Sequence, residues 1–453
     1  MKAFTVREAL AACKGKFFGD ESALDRIVTS VSSDSRTAKE GTLFVAFKGA
    51  RADGHSFMAG CLENGAACCL SEREPAGAQE MPCIVVESTL TAVGAIAAWQ
   101  RARHDFPVVG ITGSVGKTTT KEMISAVLSR RFKTHKTEKN FNNELGVPQT
   151  IFAMPEDSQA AVIEMGISDF GEMTRLTNIV RPNIAVISII GDAHLEFLGD
   201  RDGVLRAKSE IFASMGEGDT AILNGDDPYL RKLQPSIRTI SYGKGEDNDF
   251  VATDIENLAG EGMRMRIRHH GASFPVHIPA FGAHMVYAAL AGCACGWAMG
   301  MSDEEIAAGI ADYQTVGNRA KLIDTGKITI ISDCYNANPN STASSIDSLV
   351  TLKGRKVCIL GDMLELGRDT LALHAGIGKK AAESGVDLLI ACGELSRATY
   401  EGAKEAGGNA LHFAEKQAVI EALGELIQPG DCVLVKASHS MAFEDFVEVL
   451  EKL

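Results

Sequence analysis

From Pro107 onward, short apolar runs rich in β-branched residues alternate with stretches long enough to form helices, the pattern of a parallel sheet with crossover helices. The spacing predicts strands over residues 108–112, 161–165, 184–190 and 221–224, with helices over 117–132 and 202–215. A second set begins after residue 320, with strands over 328–332, 357–360, 388–392 and 432–436 and helices over 371–383, 416–427 and 442–450. The first hundred residues carry shorter strands, such as 42–47 and 83–87, and form a smaller α/β unit of their own. Three units are therefore expected, over residues 1–105, 106–319 and 320–453. That count suits a 453-residue chain when a domain takes about 150 residues.

Composition narrows the classes. With 45% apolar and 23% charged residues the chain is an ordinary globular one, neither disordered nor fibrous. Its 45 Lys and Arg against 59 Asp and Glu leave a net charge of −14, which opposes a general nucleic-acid binder. Any phosphate must be gripped locally. No apolar run of about 18 residues exists, and the start Met1-Lys2-Ala3-Phe4-Thr5 lacks the plan of a secretory signal, so a cytoplasmic protein with no membrane insertion is expected. The 11 Cys form no C-x2-C pair and sit mostly in apolar stretches, so buried free thiols are expected rather than zinc ligands.

The most informative segment runs from Val108 to Thr120, VVGITGSVGKTTT, an apolar strand entering a glycine-rich turn and then a helix. Gly113 and Gly116 let the backbone turn tightly against phosphate oxygens. The N–H groups of Ser114, Val115 and their neighbours point at the anion, Lys117 adds a point charge, and Thr118 and Thr119 begin the helix. Thr118 suits a magnesium ion. A strict Walker A motif needs Gly where Ile111 stands, so this is a variant phosphate loop. A Rossmann fingerprint fits less well, because Gly113 and Gly116 do not make G-x-G-x-x-G and Lys117 would have no role. Downstream, Glu164 stands at the C-terminal end of a predicted strand, where ligands collect in open α/β sheets, and is a metal candidate. His194, in Gly191-Asp192-Ala193-His194, follows the next strand and emerges from the same edge. A lone loop histidine is usually only solvated, but this one neighbours Glu164.

Further runs complete the pattern: Asp34-Ser35-Arg36, Asn140-Phe141-Asn142-Asn143, Ala207-Lys208-Ser209-Glu210, Asp333-Cys334-Tyr335-Asn336-Ala337-Asn338-Pro339 and Gly361-Asp362-Met363-Leu364-Glu365-Leu366-Gly367. With the phosphate loop they make the chain, over nearly its whole length, resemble the Mur ligases, ATP-dependent amide-forming enzymes of peptidoglycan synthesis. Within that family it is most similar to the branch that adds D-alanyl-D-alanine to a UDP-N-acetylmuramoyl-tripeptide. The resemblance implies a UDP-substrate-binding first domain, a central P-loop ATPase domain and a C-terminal Rossmann-like domain that completes the ATP site and takes the dipeptide. It also implies activation of the peptidyl carboxylate as an acyl phosphate, with loss of phosphate to the incoming amine, by a protein expected to work as a monomer.

The resemblance assigns roles residue by residue. Lys117, Glu164, His194 and Lys208 match the family's catalytic group. One magnesium ion would lie near Thr118 and Glu164, and a second near His194 and Lys208, the latter as a carbamate because an ammonium cannot ligate a cation. Arg319 matches an arginine reaching the ATP phosphates, and Asp333 the aspartate that holds the ribose. Asn142 and Asn143 are similar to substrate-side residues, and Asp34, Ser35 and Arg36 to the grip on the UDP moiety; alone, that triplet reads as an exposed turn. Three positions depart from the family: Met285 and Ala288 follow His284 where asparagine is usual on the adenine side, and His439 stands where the family has Arg. Two rival readings are a folylpolyglutamate synthetase-like ligase and a P-loop binding module without ligation. The Tyr335-Asn336-Ala337-Asn338-Pro339 run argues against the first, and no Asn-Lys-x-Asp guanine-reading motif supports a GTPase switch.

Overall fold

The computed structural model of the chain describes residues 1–49, 52–75, 81–258, 261–317 and 319–453. Among these, three main sheets and one two-stranded pair form, and the architecture is three-domain α/β. The central sheet has nine strands. From its edge at Thr134–Lys136 it continues through Ala160–Glu164, Val108–Thr112, Ile184–Ile187, Thr220–Asn224, Arg238–Gly243 and Phe250–Asn257, all parallel. Every residue of Val108–Thr112, Ala160–Glu164 and Ile184–Ile187 is buried, as a parallel sheet covered on both faces requires. Helix Lys117–Leu128 covers one face and packs on helix His284–Ala298, where Gly292 lets Met123 and Val127 approach. Helices Thr89–Ala102 and Glu172–Val180 cover the other. That second core is continuous with Leu43, Leu70 and Ile84 of the N-terminal sheet, so the first two units share one apolar layer.

The N-terminal sheet runs Lys16–Phe18, Cys83–Val85, Cys68–Ser71, Thr42–Val45, Ser30–Ser32, with only the first pair antiparallel. The C-terminal sheet runs Lys321–Asp324, Thr329–Ser332, Cys432–Lys436, Lys356–Gly361, Leu388–Cys392, Ala410–Phe413, again with one antiparallel edge. Ten of the 11 cysteines are buried and all are free.

Three expectations are corrected. The strand expected over 184–190 ends at Ile187, because Ser188 to Ile190 bend over the phosphate loop: Ser188 Oγ donates to the Val115 carbonyl and Ser114 N to the Ile189 carbonyl. The helix expected over 202–215 is α-helical only over Arg201–Ser209 and continues as a 3-10 turn over Glu210–Ser214. Glu210 there turns its carboxylate to the N–H groups of Gly171 and Thr174, capping the neighbouring helix. Finally, residues 238–278 add four strands not anticipated. The last two, Met263–His269 and Ala272–Ile278, form an antiparallel hairpin with alternating buried and exposed positions.

Candidate active site

Strand Val108–Thr112 lies between its two neighbours, so three loops leave the same sheet edge: the phosphate loop, the segment after Glu164, and Ser188 to His194. Gly113 has φ +148°, and a Cβ there would drive into Ser188 Oγ, so the turn needs glycine. Gly116 (φ +81°) precedes helix Lys117–Leu128, whose first N–H groups are unspent by the helix itself. Lys117 donates to the Gly113 carbonyl at 2.8 Å, which folds its ammonium back over the loop. Burial and the Arg319 charge lower its pKa, and Glu164 opposes them.

Glu164 ends its strand and is almost wholly buried. One oxygen accepts from Thr118 Oγ1 at 2.8 Å and the other from Asn142 Nδ2 at 2.8 Å. Beneath it the buried Lys121 pairs with Glu122 at 2.9 Å, donates to the Thr137 carbonyl and lies 4.0 Å from Glu164. His194 takes a left-handed backbone conformation (φ +56°). Its Nδ1 is buried without an aligned hydrogen bond, although Glu365 Oε2 approaches to 2.8 Å. Burial and the nearby charges of Lys208 and Lys117 push its pKa down to about 4, so the ring is neutral near pH 7. Lys208 is buried on helix Arg201–Ser209 with no carboxylate paired to it among the described residues, and burial with the Lys117 charge holds its ammonium well below the usual lysine range.

These groups line or back one cavity of about 700 Å³ between the central and C-terminal domains. Lys117, Thr118, Thr119, Asn142, Asn143, Glu164, His194, Arg319 and Asp333 all face it, whereas Lys208 stands behind His194 and is not on the wall. The C-terminal domain contributes Asp333, whose Oδ2 accepts from Lys436 Nζ at 2.6 Å and Ser345 Oγ at 2.7 Å, while Oδ1 accepts from Ala320 N. The Arg319 guanidinium lies 3.7 Å over the Tyr335 ring, and His439 packs on Tyr335 at 5.5 Å. Asn143 spends its oxygen capping the N–H groups of Leu145 and Gly146, leaving only its amide nitrogen for a ligand. Met285 is buried in the apolar core, while Ala283, His284, Tyr287 and Ala288 of the same turn face the cavity. Asp34, Ser35 and Arg36 lie apart on the N-terminal unit: the Asp34 carboxylate binds the Arg36 guanidinium and sits at about 2 in pKa because of it.

Three wall or support residues were not singled out from sequence. Ser188 shapes the phosphate loop, Lys121 underlies Glu164, and Lys436 grips Asp333 from the end of a strand. Lys436 was the most findable, since it closes an apolar run as Glu164 does.

The geometry fits a cation held beside phosphate. Thr118 Oγ1 and Glu164 lie 2.8 Å apart, close to the roughly 3 Å edge of an octahedron around magnesium. Among the described residues no three His, Cys, Asp or Glu side chains cluster to hold a metal alone, in keeping with an ion that takes most of its ligands from phosphate and water.

Similarity to known proteins agrees with this arrangement. Residues 27–101 match the model described as "Mur ligase family, catalytic domain", 111–296 the "Mur ligase middle domain", and 318–439 the "Mur ligase, glutamate ligase domain". The chain is 37% identical to the UDP-N-acetylmuramoyl-tripeptide–D-alanyl-D-alanine ligase of Bacillus subtilis over 94% of this chain and 93% of that one. It superposes on MurF from Acinetobacter baumannii with a TM-score of 0.92 at 33% identity over the full length of both. The MurF ligase from Thermotoga maritima in complex with ADP gives 0.85 at 28%, covering 93% of this chain and 97% of that one. A phosphate loop, a facing C-terminal sheet and matches along all three domains lead to one conclusion: the chain belongs to the Mur ligase family.

Proposed function

We propose that the chain is an ATP-dependent amide ligase that joins D-alanyl-D-alanine to UDP-N-acetylmuramoyl-tripeptide, forming ADP and phosphate in peptidoglycan precursor synthesis. The observation that carries this is the convergence of Lys117, Glu164 and His194 on one cavity walled by two domains, in a chain matching dipeptide ligases end to end. We assign residues 1–105 to the UDP substrate, 106–319 to ATP, and 320–453 to completing the ATP site and receiving the dipeptide.

The carboxylate to be activated and the γ-phosphate are both anions, so charge must be neutralised before they meet. Lys117 exchanges the Gly113 carbonyl for phosphate oxygens, and the loop N–H groups of Val115 to Thr119 hold the chain of phosphates from below. Arg319 reaches the same phosphates from the domain junction, its plane fixed by Tyr335. Asp333 orients the ribose, its charge kept by Lys436. Asn142 steadies Glu164 and, with Asn143, offers amide donors toward the substrate. Asp34, Ser35 and Arg36 grip the UDP end.

Magnesium, when bound, supplies charge to the phosphates, with Thr118 and Glu164 holding one ion and His194 and Lys208 a second. The neutral His194 offers a free ring nitrogen for that purpose. Burial disfavours the Lys208 ammonium, and the free amine can take up carbon dioxide and release a proton, leaving a carbamate with an anionic oxygen. Action as a cytoplasmic monomer is part of the same reading; among the described residues no helix is long and apolar enough to cross a membrane. Phosphate release from ATP, followed with each substrate omitted in turn, tests the reading. A ligase releases phosphate in step with the dipeptide, and a nucleotide switch does so regardless of it.

A further inference from the structure

We infer that Glu365 holds the amino terminus of the incoming dipeptide beside the activated carboxyl carbon, where the ammonium gives a proton to solvent and the free amine attacks with loss of phosphate; this rests on the ligase reading above. Glu365 belongs to the turn after strand Lys356–Gly361, on the C-terminal domain, yet its Oε2 lies 2.8 Å from Nδ1 of His194 on the central domain. It is the carboxylate that the C-terminal domain brings to the histidine at the reacting end of the cavity.

The turn presents this side chain rigidly. Glu365 has φ +62°, a left-handed conformation costing about 1 kcal/mol or more for a residue with a Cβ. It is held by its neighbours: Met363 and Leu366 are buried, Met363 N donates to His374 Nε2 and Leu364 N to Ser438 Oγ. Gly367 packs against the backbone of Glu196, just beyond His194. Two left-handed residues thus meet across the domain junction, and Glu365 is placed there by a framework, not by a floppy loop.

Charge identifies the ligand. The carboxylates lining the cavity have partners: Glu164 has Thr118 and Asn142, Asp226 has the N–H groups of Lys244 and Gly245, Asp227 has those of Ile190 and Tyr229, and Asp333 has Lys436 and Ser345, while Asp192 next to His194 has Arg201. Glu365 has no lysine or arginine partner among the described residues, its side chain is 55% exposed, and the close histidine makes no aligned hydrogen bond. It is an anion short of a cation. The incoming amine arrives as an ammonium, and Lys117 and Arg319 on the phosphate side of the cavity repel it. A carboxylate 2.8 Å from the cavity-lining His194 offsets that repulsion and selects a free amino terminus.

Steady-state kinetics of Glu365→Gln with D-alanyl-D-alanine as varied substrate test this. The KM for the dipeptide should rise about tenfold or more, the loss expected for one charged hydrogen bond, while the KM values for ATP and UDP-tripeptide stay within about twofold. N-acetyl-D-alanyl-D-alanine, which has no ammonium, should inhibit wild type and variant within about twofold of each other. An unchanged dipeptide KM, or an equal loss for the acetylated inhibitor, would overturn the inference while leaving the ligase reading intact. If wild type itself forms no product from the dipeptide, the ligase reading fails and this inference falls with it.

Discussion

Lys208 is a lysine that the fold has made chemically unusual: buried, with no carboxylate paired to it among the described residues, and pressed by the Lys117 charge. If it serves as a carbamate, Lys208→Arg keeps charge and length but removes the reactive amine. Turnover should then fall by about 100-fold or more while UDP-tripeptide binding, followed by calorimetry, stays within about twofold. Near wild-type turnover in that variant would make Lys208 an ordinary cation. His104 shows the same physics without function. It is buried with Nε2 unpartnered, and burial together with the charges of Lys2 and Arg101 pushes its pKa down to about 4. The folded pKa lies below the unfolded value of about 6.5, so the unfolded chain binds the extra proton first. The stability attached to neutral His104 is whole above about pH 6.5 and is lost as pH falls toward 4, up to about 3 kcal/mol. Thermal melts of wild type and His104→Asn between pH 7.5 and 4.5 check this: the variant should show the shallower decline, and parallel curves would refute it. The carbamate role of Lys208 came from the family resemblance alone, and the burial of Lys208 and His104 was not legible in sequence, because burial depends on how elements such as Arg201–Ser209 pack.

Elements carry the next level. The phosphate loop was readable because its chemistry is local: a strand, two glycines that must take positive φ, and a lysine opening a helix. Its partner was not, since Ser188 reaches it from a strand that ends earlier than its apolar run suggests. Gly113→Ala should therefore fail on two counts, strained φ and collision with Ser188, costing about 1–3 kcal/mol. Urea unfolding should show that loss, and the variant should no longer bind ATP in a fluorescence titration. A variant as stable as wild type with normal ATP affinity would mean that the loop tolerates a side chain and is not formed as described. The hairpin Met263–His269 and Ala272–Ile278 was not anticipated, although its first strand alternates strictly, Met-Arg-Met-Arg-Ile-Arg-His. What alternation did not reveal is that it extends a parallel sheet, because pairing partners lie far off in sequence.

At the scale of the whole molecule, a chain of net charge −14 gathers Lys117, Arg319 and Lys436 on one cavity between its second and third units. The order of the three units and their α/β class could be read from the alternation of apolar runs. The cavity between the second and third could not, since Asn340 accepting from Asp192 N, and Glu365 meeting His194, join residues over a hundred positions apart. The central claim is a single bond formed from three substrates, and mass spectrometry of the nucleotide product tests it most directly. With ATP, magnesium, D-alanyl-D-alanine and UDP-N-acetylmuramoyl-tripeptides carrying either lysine or diaminopimelate, the account predicts a UDP-linked pentapeptide, the mass of both peptides less one water, formed together with one ADP. ADP released with no such mass from either tripeptide would contradict it.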